Sequence, residues 1–106
     1  MTHVLLNLAA PRILEDRLLE ALLEHPATEA FGSAPGRGHG ARPDHLTVGE
    51  QVSGWRRETR VEVLVRAEDL EALLTALRER IPAESVRWWT VPVAGTGTLA
   101  AQDQSP

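Results

Sequence analysis

Between Thr59 and Arg66 the sequence alternates without a break. Val61, Val63 and Val65 fall on one side of an extended chain, and Arg60, Glu62, Leu64 and Arg66 fall on the other. That spacing predicts a strand with one buried face. A segment of helical period follows at once. Over Ala67 to Arg80, the residues Leu70, Leu73, Leu74 and Leu77 form an apolar stripe that Ile81 continues. Glu68 and Asp69 sit in its first turn and Arg78 and Arg80 near its end, each the sign that the helix dipole favours. The chain opens with the same pairing. A strand is expected over about Thr2 to Ala9, apolar on both faces. A helix then begins at Pro11, where a missing N–H costs nothing, and stops before Pro26. Leu14, Leu18 and Leu22 make its main row, and Leu19 and Leu23 widen it.

Two further strands complete the pattern, at about Thr28 to Ala34 and about Ser85 to Val93. The order is then βαββαβ. Two strand–helix units with both helices on one face of a four-stranded antiparallel sheet make a ferredoxin-like α+β fold. Right-handed crossovers place the first and third strands in the middle. Those are the two strands richest in valine and leucine. The expected organisation is one domain over residues 1–94 with a long loop over 35–58, followed by a flexible C-terminal tail over 95–106.

What is missing excludes several kinds of chemistry. None of the 106 residues is cysteine or tyrosine, and every basic residue is arginine. Thiolate metal sites, thiol nucleophiles, Schiff bases and the phosphate-loop lysine are therefore ruled out. Ser33, Ser53 and Ser85 lack any nucleophile-elbow or triad context, so the chain is not expected to be an enzyme. A formal net charge of −4 argues against a nucleic-acid binder. The central strands also lack the stacking aromatics of an RNA-binding sheet. No stretch approaches the roughly 20 apolar residues of a membrane helix. No targeting segment is evident, so the protein is expected in the cytoplasm and not embedded in a membrane.

The polar interest lies in the loop. Long irregular connections inside a compact domain tend to be functional or disordered. His39, His45 and Glu50 are candidate ligands for a divalent metal or copper(I), because imidazole and carboxylate suit such ions. The alternative is a solvated loop with two exposed histidines. Arg37, Gly38, Gly40, Arg42, Gln51 and Arg56 are candidates for holding an anion through guanidinium and backbone N–H groups. Trp88 and Trp89 must point to opposite faces of their strand. One is expected in the core and the other at an interface, where tryptophan is enriched. Trp55 could close over a ligand or anchor the loop. His25 sits at a helix end, a position that favours a structural role.

Several runs carry a resemblance: Gly38-His39-Gly40, Leu46 through Gly54, Arg56-Arg57, and Trp89 through Val93. With the long excursion between the second and third strands, they make the chain similar to the PII-like superfamily of nitrogen-regulatory PII and CutA-type trimers. Within it the chain most resembles a subgroup associated with resistance-nodulation-division heavy-metal efflux systems. The resemblance implies a homotrimer with ligand sites between subunits and a T-loop between the second and third strands. It also implies a signalling role toward a membrane efflux transporter. One segment departs from the pattern. Ile81-Pro82-Ala83-Glu84-Ser85 has neither the glycines nor the lysine of the PII phosphate loop, which argues against ordinary ATP or ADP binding.

Overall fold

The computed structural model describes residues 2–40, 44 and 46–100. Strand β1 spans His3–Pro11 and a 3-10 turn, Arg12–Leu14, leads into helix α1, Glu15–Glu24. Strand β2 covers Ala30–His39, a short helix α2 covers Val48–Ser53, and strand β3 covers Trp55–Arg66. Helix α3, Leu70–Arg80, and strand β4, Arg87–Val93, complete the chain. The four strands form one antiparallel sheet in the order β2-β3-β1-β4. The first and third strands lie in the middle, as right-handed crossovers require.

The core lies between the sheet and the two longer helices. Leu6, Leu8 and Ala10 of β1 and Val61, Val63 and Val65 of β3 point to one face. There they meet Leu14 and, from α1, Leu18, Ala21 and Leu22, with Leu73, Leu74, Leu77 of α3 and Ile81 just beyond it. The valine alternation and both helical stripes are thus used as their spacing predicts. Leu23 differs: it is 73% exposed, so the stripe of α1 is narrower than its leucine content suggested. Arg80 closes the helical layer by pairing with Glu24 of α1 at 2.6 Å. His25 ends α1, and its Nδ1 accepts from the backbone N–H of Ala27 at 3.1 Å, a structural role.

The segment 35–58 is where the structure departs most from the sequence pattern. β2 does not stop at Ala34 but runs to His39, and β3 begins at Trp55 rather than near Thr59. The two strands stay in continuous register from Ala30 opposite Leu64 to His39 opposite Trp55. Pro35 is tolerated because β2 is an edge strand. Between the strands, α2 is a formed helix. Thr47 and Glu50 make a reciprocal capping box at its start, and Gly54 closes it at φ 82°, a left-handed conformation suited to glycine.

Candidate functional site

Beyond the end of β1, the paired strands β2 and β3 continue as a two-stranded hairpin root with two different faces. The side-chain period of a strand is two. Trp55 and Arg57 therefore share a side with Val61, while Arg56, Glu58 and Arg60 share the other.

The first side holds an open cleft of about 360 Å³, lined by Arg12, Pro35, Gly36, Arg37, Trp55 and Arg57. Arg37 and Arg57 stand directly opposite each other in the β2–β3 register. Like charges in that position repel. The Arg37 guanidinium lies over the Trp55 ring, 4.7 Å from its centroid, a cation–π contact that fixes the side chain. Arg12 reaches in from the 3-10 turn after β1 and lies 3.7 Å from Glu15. Among the described residues no carboxylate pairs with Arg37 or Arg57, and none lines the cleft.

The second side holds a buried ionic cluster. Glu58 is 1% exposed, and its carboxylate accepts from Arg56 Nε at 2.8 Å and from Arg60 Nε at 3.1 Å. Arg56, itself 3% exposed, also donates through Nη2 to the Ser85 carbonyl at 2.8 Å. A charge so deep survives only when paired and hydrogen-bonded on every side. β2 makes room for it with glycine. A Cβ built on Gly38 would fall inside the Glu58 carboxylate.

The two sides meet at one carbonyl. Pro11 is paired with Glu58 across β1 and β3, and proline has no N–H to give. The Arg12 side chain stands in for it, donating to the Glu58 carbonyl from Nε at 3.4 Å and Nη2 at 3.2 Å.

Several expected site residues have other work. Arg56 is enclosed in the ionic cluster. Gly38 belongs to a strand and lies under Glu58, and Gly40 marks the strand exit at φ 77°. Glu50 uses both carboxylate oxygens. Oε1 accepts from the Thr47 N–H and Oε2 from the Arg57 N–H, each at 3.0 Å. These backbone donors, Thr47 first and Arg57 second, hold its carboxyl below the usual carboxylate range. Gln51 donates to the Leu46 carbonyl at 3.3 Å. His39 is exposed at the end of β2. His45 and Arg42 lie outside the described residues. Among the described residues no three His, Cys, Asp or Glu side chains come together as a metal site.

The tryptophan pair splits as its strand period requires. Trp88 aligns with Leu8 on the helix side and Trp89 with Asn7 on the open side of the sheet. Neither is buried: they are 44% and 42% exposed, and Trp88 only borders an apolar crevice with Leu74, Leu77 and Ile81. The reason is position, since β4 is an edge strand with nothing beyond it.

Three functional-site features were not singled out from the sequence. Glu58 sits at the centre of an Arg-x-Glu-x-Arg run, a period-two signal for one strand face. Thr47-x-x-Glu50 is a capping-box signature. Arg12 has no local signal, because its partner is far away in sequence.

A model of the DUF3240 family, described as proteins of unknown function, matches residues 1–100. The chain belongs to this family. A DUF3240 family protein from Shewanella baltica, of known structure, is 26% identical, with a TM-score of 0.76 over 93% of this chain and 98% of that one. A PII-like signaling protein from Thermus thermophilus shares 23% identity at a TM-score of 0.61, covering 88% of each chain. The periplasmic divalent cation tolerance protein CutA from Archaeoglobus fulgidus shares 14% identity at 0.68, covering 92% of this chain and 89% of that one. At these identities the last two carry the fold alone, and they place this DUF3240 member among PII-like and CutA-like folds. No individually curated protein matches its sequence significantly.

Proposed function

We propose that the protein is a PII-like regulatory or accessory module that binds a small anion in the cleft beside Trp55. One observation carries the reading: Arg37 and Arg57 face each other across β2 and β3 and, among the described residues, no carboxylate lines the cleft between them. Directly opposed like charges cost stability. A bound anion turns that cost into affinity, because each guanidinium then gains a charge-assisted hydrogen bond. The Trp55 ring holds Arg37 in place through the cation–π contact. Phosphates, bicarbonate and nucleotide phosphate groups are the ligand class.

The metal reading of His39, His45 and Glu50 stands behind this one. Glu50 already accepts a backbone N–H on each carboxylate oxygen, so a metal there would share those oxygens with the Thr47 and Arg57 N–H groups. In the proposed role the protein acts in the cytoplasm as a homotrimer and signals to a membrane transporter, with a heavy-metal efflux system as the partner that the resemblance suggests. The half-exposed Trp88 and Trp89 on the open edge strand are the proposed subunit contacts.

Calorimetric titration with pyrophosphate, bicarbonate and adenine nucleotides tests the reading, beside zinc and copper(I). Saturable anion binding that weakens at least about ten-fold in Arg57→Ala, the loss of roughly one charge-assisted bond, is the expected result. Saturable metal binding with no anion binding would return the site to the histidines.

A further inference from the structure

Arg12 has occupations that compete when the cleft fills, besides its pairing with Glu15. It lines the anion cleft, and it supplies the donor that Pro11 cannot give to the Glu58 carbonyl. Its two bonds to that carbonyl are long, at 3.4 and 3.2 Å, and the acceptor is neutral. An anion offers the same guanidinium shorter, charge-assisted bonds. Filling the cleft therefore draws Arg12 off the β3 backbone at the residue whose side chain anchors the buried cluster.

That cluster reaches a distant part of the chain. The Glu58 carboxylate holds Arg56, and Arg56 holds the Ser85 carbonyl. Ser85 ends the 3-10 turn Ala83–Ser85 that feeds β4, the strand of Trp88 and Trp89. The Val86 N–H bonds back to the Ala83 carbonyl at 3.1 Å, so this junction has its own reporter. Both charged partners are almost wholly buried, and a buried pair that loses its geometry has no solvent to fall back on.

We propose that the Arg56–Glu58 pair is a relay, carrying anion occupancy of the Arg12–Arg37–Arg57 cleft to the start of β4. The proposal rests on the anion-cleft reading and adds what that reading lacks, a route from ligand to the strand edge. Arg56 acts here as a positioning residue that does not touch the ligand. The two states are Arg12 on the Glu58 carbonyl with the β4 junction held, and Arg12 on the anion with the junction loosened. The anion selects the second to the extent that its charge-assisted bonds to Arg12 outweigh the two that Arg12 gives the carbonyl.

The test uses the full chain and pyrophosphate as the probe. Affinity is read by calorimetry, and amide hydrogen exchange by NMR at Val86, Arg87 and Trp88. Saturating pyrophosphate should speed exchange at Val86 and Arg87 in the wild type. Arg56→Met should bind pyrophosphate at least as tightly as the wild type, because it has no junction left to loosen and the coupling is reciprocal. It should also show no ligand-dependent change at Val86. The double variant Arg56→Met, Glu58→Met removes both buried charges together and serves if the single variant does not fold. Binding without any change at Val86 in the wild type overturns the relay and leaves the cleft intact. A change that persists in the variants also overturns the relay alone. Absence of saturable binding to the wild type overturns the cleft reading, and the relay with it.

Discussion

The Glu58 carboxylate occupies the space that any side chain at position 38 would need. Gly38→Ala must therefore displace a buried, doubly paired charge or push the hairpin strands apart. Overpacking of this kind costs about 1–3 kcal/mol. Gly36 provides the internal control. A Cβ there would lie 3.1 Å from Arg60 Cγ, the stem of a flexible, half-exposed side chain that can move aside. Denaturant unfolding of the two variants should show a clear loss for Gly38→Ala and a much smaller effect for Gly36→Ala. Equal losses would mean that glycine is required here for backbone reasons alone.

Removing one partner of the Arg56–Glu58 pair should be worse than removing both. Glu58→Ala strands Arg56, which is 3% exposed, and such uncompensated buried charges cost about 3–5 kcal/mol. Replacing both by methionine should recover most of that loss. Arg60→Ala should be milder, since its side chain is 45% exposed and Arg56 continues to hold Glu58. A double-mutant cycle from urea unfolding measures the coupling, and simple additivity of the two single losses would refute it.

The short helix α2 should be sensitive to acid. The Thr47 and Arg57 N–H groups depress the folded-state pKa of Glu50 below its unfolded value. Its contribution is therefore fully present above the ordinary carboxylate pKa and is lost as pH falls through the depressed one. Protection factors, exchange rates corrected for the intrinsic pH dependence, should fall at Arg57 and Gln51 in that acidic window, ahead of the core amides. Thr47→Ala should loosen the same amides at neutral pH, with a cap loss of about 0.5–2 kcal/mol. Protection factors flat with pH would show that the capping box does not hold the helix.

Self-association should depend on β4. Trp88 and Trp89 are 44% and 42% exposed, and Val91 is 45% exposed, which leaves a large apolar area on a strand with a free edge. Trp89→Glu places a charge on the open side of that strand. Sedimentation equilibrium should give a trimer for wild type and a smaller species for this variant. A wild-type monomer across the micromolar range would remove the oligomeric part of the proposal.

The fold was legible because its signals are periodic. Val61, Val63 and Val65 at period two, and Leu70, Leu73, Leu74 and Leu77 at helical period, identify both their elements and their buried faces. The hairpin root was less legible. Pro35 and the glycines at 36 and 38 read locally as a loop, yet they are strand residues because β2 lies at the edge and Glu58 needs their missing side chains. A tertiary demand overrode a local propensity. The cleft was half visible: Arg37 and Trp55 stood out, while Arg12 enters through the β1–β3 register, which no local pattern encodes. Arg56 was visible as a charge but not as a buried one, since burial depended on Glu58 and on the Ser85 carbonyl across the sheet.

Because the side chains of β3 alternate, one short run of residues carries two instructions. Positions 55 and 57 address the cleft, while 56, 58 and 60 address the scaffold. Exchanging Arg57 for another polar residue alters what can enter without disturbing the buried pair behind it. In the proposed role the hairpin root acts as a reading head, and exchanging residues 55 and 57 would retune its selectivity while the Arg56–Glu58 link to the Ser85 carbonyl is kept.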